Sequence, residues 1–161
     1  LSMTLFDWAK KNPAPPGRAL RGLFILDEAK DYVPSRGSSV CKRSLMRCVA
    51  QLRKYHIGMV FATQSPKDLD NTVSQNCSTQ FFGKVVSPVA ISTVQDLMRA
   101  KGGTGNDISN LPAGVFYLHN ADADFKTPTK IKVSLCLTHH RANPPNAEEI
   151  VAIAGKNRQE S

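Results

Sequence analysis

The chain has 161 residues, enough for one domain with a core of its own. Its 41% hydrophobic and 7% aromatic residues are ordinary for a globular protein, and no apolar run nears the roughly 20 residues that a helix needs to cross a bilayer. A net charge of +8, from 21 Lys and Arg against 13 Asp and Glu, favours polyanionic partners, nucleic acid first, although such a charge also serves solubility alone.

The first residues, "LSMTLFDWAKKNPAPPGR", lack the charged start, apolar run and small-residue cleavage site of a secretory signal. They also lack an initiator Met, so the expectation is a piece of a longer protein. Residues 3–11 read as a helix anchored by Phe6 and Trp8, ended by "NPAPPG" at 12–17. Leu23–Leu26 is a short continuous apolar run, the pattern of a parallel strand buried on both faces. It runs straight into Asp27 and Glu28, two carboxylates at the end of a buried strand, where a cation or a water is handled.

"SRGSS" (35–39) supplies turn residues and an N-cap, and Leu45, Val49 and Leu52 recur at helical spacing from Val40 to Tyr55. Cys41, Met46 and Cys48 widen that stripe, while Lys42, Arg43, Arg47, Arg53 and Lys54 lie mostly off it. "IGMVFATQS" (57–65) is a second buried strand, ending in Thr63 and Gln64. A turn and short helix opened by Pro66 follow, then a third strand in "TQFFGKVV" (79–86) and a Pro-led helix over 87–100. "KGGTGNDISNLPAG" (101–114) reads as a flexible, glycine-rich loop. "GVFYLH" and "TKIKVSLCLTH" are two strands whose short connection predicts an antiparallel pair. A last helix is expected over 146–156, with a frayed tail.

Cys41, Cys48, Cys77 and Cys136 form no CxxC pair and fit no zinc framework. They read as reduced structural thiols of a cytoplasmic protein. His139 and His140 are adjacent in sequence and cannot act as i, i+4 ligands of a metal.

The order of elements is α/β, with a mostly parallel sheet flanked by helices and ending in an antiparallel strand pair. Ligands of such sheets sit at the carboxyl ends of the strands, which puts Asp27, Glu28 and Gln64 on one edge. An apolar strand delivering Asp then Glu is the Walker B arrangement of P-loop nucleotidases; alone it is a weak signal, since two solvated acids can also cap a strand.

The ordered set "LFILDEA", "LRKYHIGMVFATQSPKDLD", "NCSTQFFGKVVSPVAISTVQDLM" and "LPAGVFYL", over about 23–118, resembles the HerA/FtsK superfamily of RecA-like P-loop ATPases, closest to its HerA-like DNA helicase and translocase branch. The resemblance implies ATP and Mg²⁺ as cofactors, DNA as partner and a homo-oligomeric, hexameric ring, with a nuclease as a frequent companion. It implies Asp27 as the carboxylate that holds Mg²⁺ through water, Glu28 as catalytic base, Gln64 as sensor, and Arg53 as an arginine acting at a subunit boundary near the nucleotide edge. Lys84 is a weaker candidate for that last role, and Lys30 and Arg36 are solvated loop charges or phosphate contacts. No GxxxxGK[ST] occurs, so the phosphate cradle is expected upstream and this chain alone is expected to be inactive. The expected organisation is a helix and Pro-rich linker over 1–22, the C-terminal part of the ATPase core over 23–140, and a helix and tail over 141–161. The other readings are a non-catalytic basic DNA-binding or scaffold domain, and a secretion or conjugation ATPase of the same superfamily.

Overall fold

The computed structural model describes residues 1–15, 17, 20–134, 143 and 145–159. Cys136, His139, His140 and the second half of the expected last strand fall outside the described residues. The helix α1 (Ser2–Lys11) leads into β1 (Gly22–Leu26), the short α2 (Ala29–Tyr32) and α3 (Lys42–Gln51). After β2 (Ile57–Phe61) come α4 (Asn71–Asn76), β3 (Thr79–Phe82), α5 (Pro88–Arg99), β4 (Val115–Asn120), β5 (Thr129–Lys132) and α6 (Ala147–Gln159).

The α3 crossover makes β1 and β2 parallel, in register from Gly22 opposite Ile57 to Leu26 opposite Phe61. Ser39 Oγ accepts the Lys42 N–H at the helix entry. Leu45 and Cys48 on the inner stripe of α3 are buried. The expected helix to Tyr55 tightens into a 3-10 turn at Leu52–Tyr55, closed by His56 in the left-handed region (φ 59°). One side of the β1–β2 sheet packs Leu26, Ala29, Val33, Leu45, Leu69 and Val73 into one cluster; Phe6, Ala9, Cys48, Leu52 and Ile57 form a second. Phe6 is therefore the anchor of α1, while Trp8 is half exposed beneath the Arg21 guanidinium.

The other side of this sheet departs from expectation. Leu23 is 58% and Ile25 62% exposed, so β1 is buried on one face and bare on the other among the described residues. The third strand does not extend the parallel sheet either: β3 pairs antiparallel with β4, and β4 with β5 as predicted, giving a separate sheet in the order β3-β4-β5. The chain is thus mixed α/β, with one parallel pair and one antiparallel sheet. α5 and the loop behind it cover the second sheet, burying Phe82, Val94, Met98, Ile108 and Leu111. The glycine-rich loop is accordingly packed rather than free. Gly105 has φ 60°, and a Cβ there would lie 2.7 Å from Met98 Sδ, so both backbone angle and space demand glycine.

Candidate functional site

The parallel ladder continues one step past both strands. Ala62 N–H donates to the Leu26 carbonyl (2.9 Å) and Ala29 N–H to the Ala62 carbonyl (2.8 Å), so the two chain segments leave the sheet side by side. Asp27 and Glu28 stand on one exit and Gln64 on the other. Gln64 Nε2 donates to Glu28 Oε1 at 2.9 Å. Glu28 is aimed there by an unusual backbone, φ 47° and ψ 48°, a left-handed conformation that costs a non-glycine residue roughly 1–2 kcal/mol. Its other carboxylate oxygen, Oε2, is buried and unpartnered among the described residues. Asp27 is exposed, and one of its oxygens accepts the Glu28 N–H (3.0 Å).

This arrangement leaves an oriented carboxylate with an unused acceptor oxygen beside an amide, at the open end of a parallel pair. Such a pair can hold and polarise a water. Among the described residues no three His, Cys, Asp or Glu side chains cluster as a metal site. Of these groups, the exposed Asp27 carboxylate is the one open to a hydrated divalent cation.

The two exits are tied together further out. Ser35 N–H donates to the Asp68 carbonyl (2.7 Å) and Asp70 N–H to the Val33 carbonyl (2.9 Å), with a bridge between Pro34 and Leu69. Lys42 locks this junction: its Nζ lies 2.9 Å from Asp70 Oδ2 and donates to the Pro34 carbonyl at 2.6 Å. The Lys42 contact, helped by the Thr72 N–H, holds the Asp70 carboxyl below the usual carboxylate range. Sequence spacing does not reveal this clamp, because its partners are 28 positions apart; only the Asp70 N-cap of α4 is visible locally.

Arg53 is not with these groups. It sits in the 3-10 turn before β2, and β2, about 17 Å long at the usual rise, separates it from Gln64. The expectation that Arg53 lies at the nucleotide edge of its own sheet is corrected: a parallel strand carries its preceding residue to the opposite edge. Lys30 pairs with its neighbour Asp31 (2.7 Å) and is close enough to Glu28 to interact with it electrostatically. Arg36 and Lys67 line a cavity of about 400 Å³ that Gln64 and Ser87 also border. Lys84 is exposed just beyond β3.

No helix among the described residues is long and apolar enough to cross a membrane. No protein-family model and no characterised protein sequence matches the chain. Solved structures do. The genome packaging NTPase B204 of Sulfolobus turreted icosahedral virus 2 matches in complex with ATP-gammaS at a TM-score of 0.53 and 16% identity, over 70% of this chain and 52% of that one. The same protein with AMPPCP gives 0.54 and 16%, over 70% and 55%. B204 described as the DNA-packaging ATPase of Sulfolobus turreted icosahedral virus gives 0.55 and 15%, over 70% and 52%. The chain spans about half the length of these structures, and over its matched part it has their mixed α/β fold.

Proposed function

We propose that this chain is the C-terminal half of an ATP-hydrolysing motor of the HerA/FtsK type that moves DNA, its core lying within 23–140. The observation that supports this most is the Glu28–Gln64 contact across the carboxyl ends of two parallel strands, on a fold shared with nucleotide-bound packaging NTPases. In this reading Glu28 orients and deprotonates the attacking water, and its free Oε2 is the proton acceptor. Gln64 holds Glu28 in place and senses the terminal phosphate. Asp27 would hold Mg²⁺ through water, and the ion would supply charge neutralisation at the phosphates. The phosphate cradle comes from chain outside these residues, since no GxxxxGK[ST] is present. The working form is a ring, and Arg53, remote from its own site, reaches only a neighbour's.

In the polypeptide that supplies the cradle, Glu28→Gln should bind ATP nearly as wild type and lose at least about 100-fold in turnover. Near-normal turnover would remove Glu28 from the chemistry. Arg53→Ala and Glu28→Gln rings should each be inactive, yet mixing the two subunits should restore hydrolysis. An intact Glu28 then meets an intact Arg53 at some boundaries. Failure to restore it, with subunit exchange demonstrated, would take Arg53 out of the neighbouring site.

A further inference from the structure

The charge of this molecule is concentrated. The helices α1 and α3 and the 3-10 turn Leu52–Tyr55 carry seven Lys and Arg against a single acid, Asp7, a formal +6 of the chain's +8. Only Lys42 of the seven has a carboxylate partner among the described residues. Lys10, Lys11, Arg43, Arg47, Arg53 and Lys54 are all exposed.

Their placement is organised by one aromatic pair. Phe6 of α1 and Tyr55 meet edge to face with ring centroids 5.9 Å apart. Lys10 Nζ lies 5.9 Å from the Phe6 centroid, Arg47 Cζ 5.6 Å from the same ring, and Lys54 Nζ 5.1 Å from the Tyr55 ring. Three cations from three elements therefore converge on one hub, with Arg43 one turn before Arg47 on α3.

Local physics opposes this arrangement. Lys42 and Arg43 stand at the positive end of α3, whose first turn contains no acid. Arg43 and Arg47 form a like-charge i, i+4 pair, which destabilises a helix by a few tenths of a kcal/mol. Charges placed for solubility would be dispersed and mixed with acids. The ring contacts of Lys10, Arg47 and Lys54 return part of this cost, but Lys11 and Arg43 have no carboxylate or ring contact among the described residues, and their clustering with the others points to an external partner.

We propose that the outer surface of α1 and α3, together with Lys54, is a docking site for the phosphate backbone of double-stranded DNA, running along α3 from Arg43 beside the Lys42 junction to the turn before β2; Arg53, assigned above to a neighbour's site, is not part of it. A basic amphipathic helix can also seat on an anionic membrane, but that requires its apolar face to be outward. Here Phe6 and Ala9 of α1 are buried against Cys48, Leu52 and Ile57, and the cations face out. The site deepens the DNA part of the proposed function, yet it needs no nucleotide, so its test is independent of hydrolysis.

The test is fluorescence anisotropy of the 161-residue chain on a duplex of about 30 base pairs, without ATP, across a salt series. Neutralising Arg43, Arg47 and Lys54 together (each →Gln) should weaken binding at least tenfold at low salt. It should also reduce the slope of log K against log salt by roughly two to three, near one per phosphate contact removed. Arg43→Gln alone should reduce it by about one. A control removing equal charge elsewhere, Lys84, Lys126 and Lys132 (each →Gln), should stay within about threefold of wild type. Equal losses in both triple variants would show a net-charge effect only and overturn the proposal. So would an unaltered salt slope, or a wild-type chain that binds phosphatidylserine vesicles and ignores the duplex.

Discussion

The parallel pair β1–β2 and the antiparallel sheet β3–β4–β5 treat their apolar residues differently. In the second sheet, Phe82 is closed under α5 and the 101–114 loop, whose Ile108 and Leu111 complete the cover. In the first, α3 covers one face while Leu23, Ile25 and Val60 remain exposed on the molecule. Continuous apolar runs belong to strands covered on both faces. The antiparallel sheet also leaves Phe81 of β3 59% exposed, so the difference is one of extent: three large apolar side chains stand bare on the strands that lead to Glu28 and Gln64, and one on the other sheet.

The largest effects should separate these two sheets. Met98 is fully buried under Gly105, and Met98→Ala should cost about 2–5 kcal/mol through lost contacts and a residual cavity. Ile25→Thr keeps the β-branch on an exposed position and should cost no more than about 0.5 kcal/mol. Urea denaturation of both variants makes the comparison. Similar losses would mean that the Leu23–Ile25 face is covered in solution, by self-association, and the contrast between the sheets would fail.

A second prediction sharpens the contrast at the site itself. Glu28 sits in the left-handed region with an exposed partner, Gln64, so the contact returns little stability for the backbone strain. Glu28→Gly relieves that strain and loses some of the gain to the entropy of the unfolded chain. The expected outcome is a net stabilisation of about 0.5–1 kcal/mol, read as a higher urea midpoint, in a chain that has lost its candidate base. A less stable variant would mean that the Glu28–Gln64 contact outweighs the strain.

The legible parts of this molecule were those with a local pattern. Apolar runs that stop at Asp27 and at Thr63–Gln64 mark both strands and the edge where their polar residues meet, because a parallel crossover leaves the sheet no other end for them. The helical stripe of Leu45, Val49 and Leu52 is equally readable, although Cys48 is buried deeper than Val49 between its ends. What escaped depends on distant contacts. The bareness of Leu23 and Ile25 follows from what packs on them, and the choice of β4 as partner of β3 from the whole topology, whereas the end of the sheet on which Arg53 falls already follows from the parallel crossover. The loop at 101–114 looked free because its glycines dominate, while Ile108 and Leu111, its two core residues, lie three apart and give no period. The Lys42–Asp70 clamp joins the N-terminus of one helix to that of another and has no sequence signature at all.

The smallest effect expected is a pH dependence carried by the antiparallel sheet. His119 on β4 lies opposite Gln80, is 8% exposed, and its Nδ1 is buried without a partner among the described residues. Burial, and then the positive charge of Lys101, push its pKa below the ordinary 6.5. The unfolded chain therefore takes up this proton first as pH falls. The stability contributed by neutral His119 is complete above about pH 6.5 and is lost progressively below it. Asp70 and Asp107 are also depressed, Asp70 chiefly by Lys42 and Asp107 chiefly by Lys130, but their stabilisation fades only below their ordinary 3.8. Between about pH 6.5 and pH 5.5 His119 is thus, among the described residues, the shifted group that titrates. Stability should fall across that interval with a slope below the roughly 1.4 kcal/mol per pH unit that one proton permits. His119→Gln should flatten the fall whatever it does to the absolute stability, because it removes the titration and not merely a contact. An equally steep fall in that variant would assign the pH dependence to other groups and leave His119 a packed, silent member of the antiparallel sheet.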